Sequence, residues 1–132
     1  MASPGTDKPC ILAVDDSPII QKMIQEALQS DYRVLVTGKP MEVLTLIYHE
    51  PISVLLLDVT MPEIDGLELC RTIRTIPQFH TLPIIMITSK DTPFDRVQGR
   101  MAGANEYVTK PFDPQQLKQV IQLFLANPIG MR

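Results

Sequence analysis

Apolar residues along this chain follow two alternating rhythms: short unbroken runs, and longer stretches where they recur every three or four positions. The first suits a strand covered on both faces, the second an amphipathic helix. CILAV (10–14) is the first run and ends in Asp15 and Asp16. Ser17-Pro18 then reads as a helix N-cap with proline at the first helical position. Ile19, Ile20, Met23, Ile24, Ala27 and Leu28 follow as one helical stripe. RVLV (33–36) predicts a second strand, and Pro40 opens a helix carrying Val43, Leu44, Ile47 and Tyr48 that stops before Pro51. SVLLLD (53–58) predicts a third strand, and LELCRTIRTI (67–76) a helix with Leu69, Ile73 and Ile76 on one side. LPIIMIT (82–88) predicts a fourth strand. TPFDRVQGRMAG (92–103) predicts a helix with Phe94, Val97 and Met101 at helical spacing and Gly103 as its C-terminal cap. EYVT (106–109) predicts the fifth strand, and DPQQLKQVIQLFLA (113–126) a last helix with Leu117, Val120, Ile121 and Phe124 inward.

Strand and helix alternate five times. That predicts an α/β fold, a doubly wound five-stranded parallel sheet with five helices on its two faces. The alternation fills residues 10–127 as one domain. Residues 1–9, polar with two prolines, are expected to be a disordered lead or linker remnant, and 128–132 a short tail.

Composition narrows this little. At 132 residues the chain is long enough for one real core, and 45% hydrophobic with 20% charged is ordinary for a globular protein. A net charge of −3 gives no basic footprint for nucleic acid. Cys10 and Cys70 form no C-x-x-C pair and read as buried thiols in a reducing compartment. No apolar run approaches the roughly 18 residues of a membrane span and no signal peptide opens the chain, so the expected location is cytoplasmic. His49 and His80 have no partner at ligand spacing and are expected on the surface. The seven methionines are expected mostly in the core, with Met61 held instead by a loop. Leu123 and Leu125 fall off the inward stripe of the last helix.

The informative stretch is LLLDVTMPEIDG (55–66), where a buried strand runs straight into a carboxylate. An apolar interior rejects an unpartnered acid. In an open α/β sheet, however, ligands bind outside the carboxyl ends of the strands. Asp15 and Asp16 close the first strand, Asp58 the third and Thr88 the fourth, and Lys110 follows the fifth. The fold therefore brings to one edge residues spread over about 95 positions. Three carboxylates together shift a pKa or hold a cation, and oxygen-only ligands suit Mg²⁺. With a lysine and a hydroxyl beside them, the set describes a phosphoryl-accepting site. Taken singly, each residue has a plainer reading. Asp15-Asp16 would be helix capping, Asp58 turn chemistry, Lys110 a solvated charge, and Thr88 and Tyr107 ordinary strand residues. Only the joint arrangement outweighs these.

VDDSP (14–18), LLLDVTMPEIDG (55–66), ITS (87–89) and AGANEYVTKPF (102–112), in that order, resemble the response-regulator receiver domains of two-component signalling, the family of the chemotaxis regulators. The resemblance covers about residues 10–126 and implies a flavodoxin-like sheet of strand order 2-1-3-4-5. It implies that Asp58 is the phosphoacceptor, serving a histidine kinase or phosphotransfer protein. Asp15 and Asp16 match the pair that positions Mg²⁺, with Asp16 the more direct ligand, and the Thr60 carbonyl matches a further ligand. Lys110 matches the lysine that pairs with Asp58 and then with the phosphoryl group, and Lys110-Pro111 matches a cis peptide. Thr88 and Tyr107 match a switch pair: the hydroxyl is drawn to the phosphoryl group and the tyrosine moves inward. Met61, Pro62 and Gly66 match the loop after the phosphoacceptor. Thr60 and Lys90, with Ser89 beside the latter, fall where the family tunes phosphoryl lifetime. Residues 92–126, the fourth helix to the fifth, match the readout face for a downstream protein or a homodimer.

The chain ends at Arg132, soon after the last helix, so no attached output domain is expected; an excised receiver of a larger regulator is the alternative. A haloacid-dehalogenase-type phosphatase also uses an aspartate and Mg²⁺, but requires a second aspartate where this chain has Thr60. A scaffold independent of phosphorylation would not require Asp15, Asp16, Asp58, Thr88 and Lys110. The expected role is thus a switch of protein–protein interaction rather than an enzyme, with no nucleic acid bound directly and no membrane insertion.

Overall fold

The computed structural model of the chain describes residues 8–61 and 63–126. The expected lead and tail, apart from Lys8 and Pro9, lie outside the described residues, as does Pro62. Five strands alternate with five helices: β1 (Cys10–Val14), α1 (Pro18–Leu28), β2 (Arg33–Thr37), α2 (Pro40–His49), β3 (Ile52–Leu57), α3 (Gly66–Arg74), β4 (Ile84–Thr88), α4 (Pro93–Ala102), β5 (Glu106–Thr109) and α5 (Pro114–Ala126). All strand pairs are parallel, and the order is β2-β1-β3-β4-β5, as expected.

Side chains alternate across a strand, so each central strand feeds two cores. Leu12, Val14, Leu55, Leu57, Ile84 and Met86 point to one face, against Val43, Ile47, Leu69 and Ile73 of α2 and α3. Ile11, Ala13, Val54, Leu56, Ile85 and Ile87 point to the other, against Ile24, Leu28, Leu117 and Ile121 of α1 and α5. β1, β3 and β4 are unbroken apolar runs because both faces are covered. β1 and β3 are neighbours, and the chain leaves β1 for β2 on one side and β3 for β4 on the other. The loops after β1 and β3 diverge and open a crevice at the carboxyl edge.

Helix starts follow their caps. The Ser17 hydroxyl accepts from Ile20 N, and Thr92 with Asp95 forms a reciprocal capping box. α3 departs from expectation: it starts at Gly66 behind an Asp65 cap and stops at Arg74, and a 3-10 turn, Pro77–Phe79, follows. Pro77 cannot continue a helix, so Ile76 falls outside α3.

Period leaves one face undecided, and one expectation about burial fails. Phe94, Val97 and Met101 form a stripe, but it points to solvent, at 69%, 54% and 81% exposure. The buried side of α4 is Gly99 and Ala102. A period fixes which residues share a face, not which face is covered. Methionines also sit outside: Met86 and Met61 are buried, whereas Met23, Met41 and Met101 are exposed. Met23 shares the α1 stripe with Ile19, which is itself exposed; that stripe is wider than the surface α1 buries. Cys10 and Cys70 are buried free thiols and His49 and His80 are exposed, as expected; Leu123 is exposed, whereas Leu125, off the inward stripe in sequence, is half-buried against the core under α1 and α5.

Candidate functional site

Asp15 and Asp58 reach one crevice because their strands are neighbours. Asp58 N donates to Val14 O at 3.0 Å, and Asp15 N donates to Thr37 O at 3.0 Å, so both acids begin where the sheet's hydrogen bonding ends. Both are buried, Asp16 is exposed, and carboxylate oxygens of all three lie within 4.8 Å of one another.

The three acids are not equivalent. Asp15 Oδ1 accepts from Ser17 N at 2.9 Å, and Asp15 Oδ2 accepts from Lys110 Nζ at 2.6 Å. The chain itself thus engages both Asp15 oxygens. Asp58 Oδ1 accepts from Thr60 N at 3.2 Å, and Asp58 Oδ2 lies 3.4 Å from Lys110 Nζ. Lys110 therefore bridges Asp15 and Asp58, with the shorter contact to Asp15. The Lys110–Pro111 peptide is cis, and Lys110 N donates to Thr88 O at 2.8 Å. Burial pushes the Asp58 carboxyl up from its ordinary value; Lys110 and the Thr60 N–H oppose this, and the Asp15 charge adds to it. Such a carboxylate favours a cation at its open side. The donor set fits Mg²⁺: oxygen only, two buried acids and an exposed one, with the exposed Thr60 on the same loop.

Gly66 matters here through close approach. A Cβ on it would fall within the Asp58 carbonyl and 2.8 Å from Val59 Cα, while Gly66 N donates to Val59 O at 2.9 Å. Its φ is not positive; among the described residues only Gly103 adopts that conformation. Gly66 thus lets α3 begin directly against the backbone of Asp58, and Met61 is buried in the same loop.

Thr88 is fully buried at the end of β4, and its Oγ1 accepts from Lys90 N at 3.3 Å. Tyr107 is seated inward, 6% exposed, and its hydroxyl donates to Lys90 O at 2.6 Å. Burial raises the Tyr107 phenol above its ordinary value. Lys90 touches this pair through its backbone, while its side chain, like Ser89, is exposed.

Two contributors escape a sequence reading. Gln21 Nε2 donates to Asp15 O at 2.6 Å, holding the peptide between the two acids; only its position one turn past the Ser17 cap hints at this. Gly99 lies in the middle of α4, where glycine is costly and calls for a packing reason.

The family model described as response regulator receiver domain matches residues 11–122. The chain is 37% identical over 118 residues to the alkaline phosphatase synthesis transcriptional regulatory protein PhoP of Bacillus subtilis, covering 89% of this chain and 48% of that protein. It spans about half the length of that and two other curated regulators that it matches. It is 39% identical over 121 residues to an uncharacterised 14.6 kDa protein of Leptolyngbya boryana, covering 92% of it. Among solved structures it resembles chemotaxis protein CheY4 of Vibrio cholerae, with a TM-score of 0.83, 32% identity, and coverage of 88% of this chain and 98% of that one.

Proposed function

The chain belongs to the response-regulator receiver domain family of two-component signalling, and from that premise we propose that it is a phosphoryl-accepting switch with Asp58 as acceptor. The supporting observation is the joining of Asp15, Asp16 and Asp58 within 4.8 Å, with Lys110 Nζ reaching both Asp15 and Asp58.

An Asp58 carboxylate oxygen attacks the phosphorus of a phosphohistidine or of a small acyl phosphate. The new bond is an acyl phosphate on Asp58. The bond that breaks joins phosphorus to imidazole nitrogen or to the donor's acyl oxygen, and its electron pair leaves with the donor. Asp16, Asp58 and the Thr60 carbonyl would hold Mg²⁺, with Asp15 orienting the set, and the ion supplies charge neutralisation for the transferring group. Lys110 adds a positive point charge beside the acceptor, and its hold on Asp15 keeps it there. The backbone N–H of Thr60 fixes the Asp58 carboxyl in the crevice. The Thr88 hydroxyl is drawn to the phosphoryl oxygens and gives up its bond from Lys90 N, which couples the site to the backbone that Tyr107 binds.

The phosphodonor is a histidine kinase or phosphotransfer protein. The readout is a protein partner on α4, β5 and α5, where Phe94, Val97 and Met101 offer an exposed apolar stripe. Among the described residues no helix is long and apolar enough to cross a membrane.

The test is intact-protein mass after incubation with acetyl phosphate, with and without Mg²⁺, beside Asp58→Asn. One phosphoryl adduct requiring both Mg²⁺ and Asp58 is expected. A folded protein that forms no adduct over a trapping time course would favour a scaffold role.

A further inference from the structure

The inward seat of Tyr107 is built from two residues of α4 that no family motif quoted above contains. Gly99 is one. A Cβ placed there would meet Tyr107 Cδ2 and Cε2 at 2.9 Å each and Met86 Sδ at 3.1 Å. The missing side chain is the space that the tyrosine ring occupies. Glycine inside a helix costs stability relative to alanine, so a gap that admits a ring is a reason for it to stand there. Arg96, one turn earlier on α4, is the other. Its guanidinium carbon lies 5.3 Å from the centroid of the Tyr107 ring, within cation–π range. Gly99 forms the floor of the seat, Arg96 covers its ring, and Lys90 O takes the hydroxyl at 2.6 Å. The chain itself makes every one of these contacts.

We infer that Gly99 and Arg96 are positioning residues for Tyr107, and that they hold it inward before any phosphoryl group arrives. This rests on reading Tyr107 as part of the switch. In a receiver where the inward seat is unfavourable, phosphorylation must supply the whole free energy of moving the ring. Here the seat is ready, and a ligand shifts an equilibrium only by its differential affinity for the two states. The readout face is then partly set at rest, and phosphorylation acts on a smaller gap.

The experiment uses the full chain without phosphodonor or Mg²⁺. Tyrosine rings are ¹³C-labelled and ring-to-backbone NOEs are recorded, with Tyr107→Phe assigning the resonances among Tyr32, Tyr48 and Tyr107. A strong NOE between the Tyr107 ring and the Gly99 Hα protons is expected. In Gly99→Ala, the NOEs from the Tyr107 ring to the Met86 methyl and to residue 99 should weaken at least several-fold. In Arg96→Ala they should weaken less, with the Tyr107 ring signals broadened by exchange. Circular dichroism and the Tyr32 resonances report whether each variant folds. Absence of the Gly99 NOE in the unmodified chain overturns the inference, whatever the variants do. So does a folded Gly99→Ala in which the ring's NOEs are unchanged. A phosphoryl adduct without the NOE would sink this inference and leave the phosphoacceptor reading standing. The NOE without an adduct would keep the seat and remove its role in a phosphorylation switch.

Discussion

At the scale of single residues, charge and burial conflict at Asp58. Its carboxyl is held above the ordinary value chiefly by desolvation. For such a group the folded state binds more protons than the unfolded one between the ordinary value and the raised value. Stability therefore falls as pH rises through that window and is regained as pH falls. Asp58→Asn removes the charge that burial disfavours while leaving Lys110 its 2.6 Å contact with Asp15. The variant should melt higher, by about 3–6 °C for a relief of roughly 1 kcal/mol, and its melting temperature should lose part of its acid dependence; scanning calorimetry from mildly acidic to neutral pH checks both. The cysteines carry a second prediction. Burial pushes the Cys70 thiol up to about 11 and raises Cys10 as well, so neither is a thiolate at neutral pH. Maleimide should label both only after denaturation, as read by intact mass.

At the scale of elements, α3 is tied at both ends. At its start, Gly66 lies against the backbone of Asp58 and Val59, so Gly66→Ala forces the helix or the acid to move. Overpacking of this kind costs about 1–3 kcal/mol, to be read by urea unfolding, and the phosphorylation rate should fall with it. At its end, Arg74 has lost charge stabilisation to burial and is satisfied by carbonyl oxygens. Its Nε donates to Gly103 O at 2.9 Å, Nη1 to Phe79 O at 2.9 Å, and Nη2 to Asn105 Oδ1 at 2.8 Å, while Asn105 also accepts from Ile84 N at 2.8 Å. One side chain thus fastens α3 to the turn between α4 and β5. Arg74→Met removes the guanidinium bonds to all three acceptors, leaving Asn105 Oδ1 only its bond from Ile84 N, and should cost about 2–3 kcal/mol in urea.

At the scale of the whole molecule, the sheet separates an acidic edge from an apolar flank. Phe94 and Met101 contribute little to the core at 69% and 81% exposure. The double variant Phe94→Ser, Met101→Ser should unfold within about 0.5 kcal/mol of the parent. On the proposed function it should still form the phosphoryl adduct and lose affinity for the proposed readout partner, as titration of that partner would report. A large loss of stability would mean that the stripe belongs to the core.

Much of this was legible along the chain. Period, with prolines, caps and a glycine at the boundaries, distinguished ten elements, since a run covered on two faces and a stripe covered on one leave different marks in sequence. The sheet rule then carried Asp15, Asp16, Asp58, Thr88 and Lys110 to one edge, because parallel strands all end on the same side. What the sequence left open depends on which neighbour a surface meets. The Phe94 stripe, which includes Met101, and two further methionines, Met23 and Met41, turned outward because α4, α1 and α2 bury narrower faces than their apolar residues span. Lys110 takes Asp15 more closely than Asp58, a preference that spacing along the chain does not encode. Gly66, read as a turn former, is glycine because a backbone lies where its Cβ would be. Gly99 gives up a side chain to a tyrosine eight positions later, on a different element. Local pattern encodes what a residue prefers, whereas excluded volume between distant segments exists only once the chain has folded.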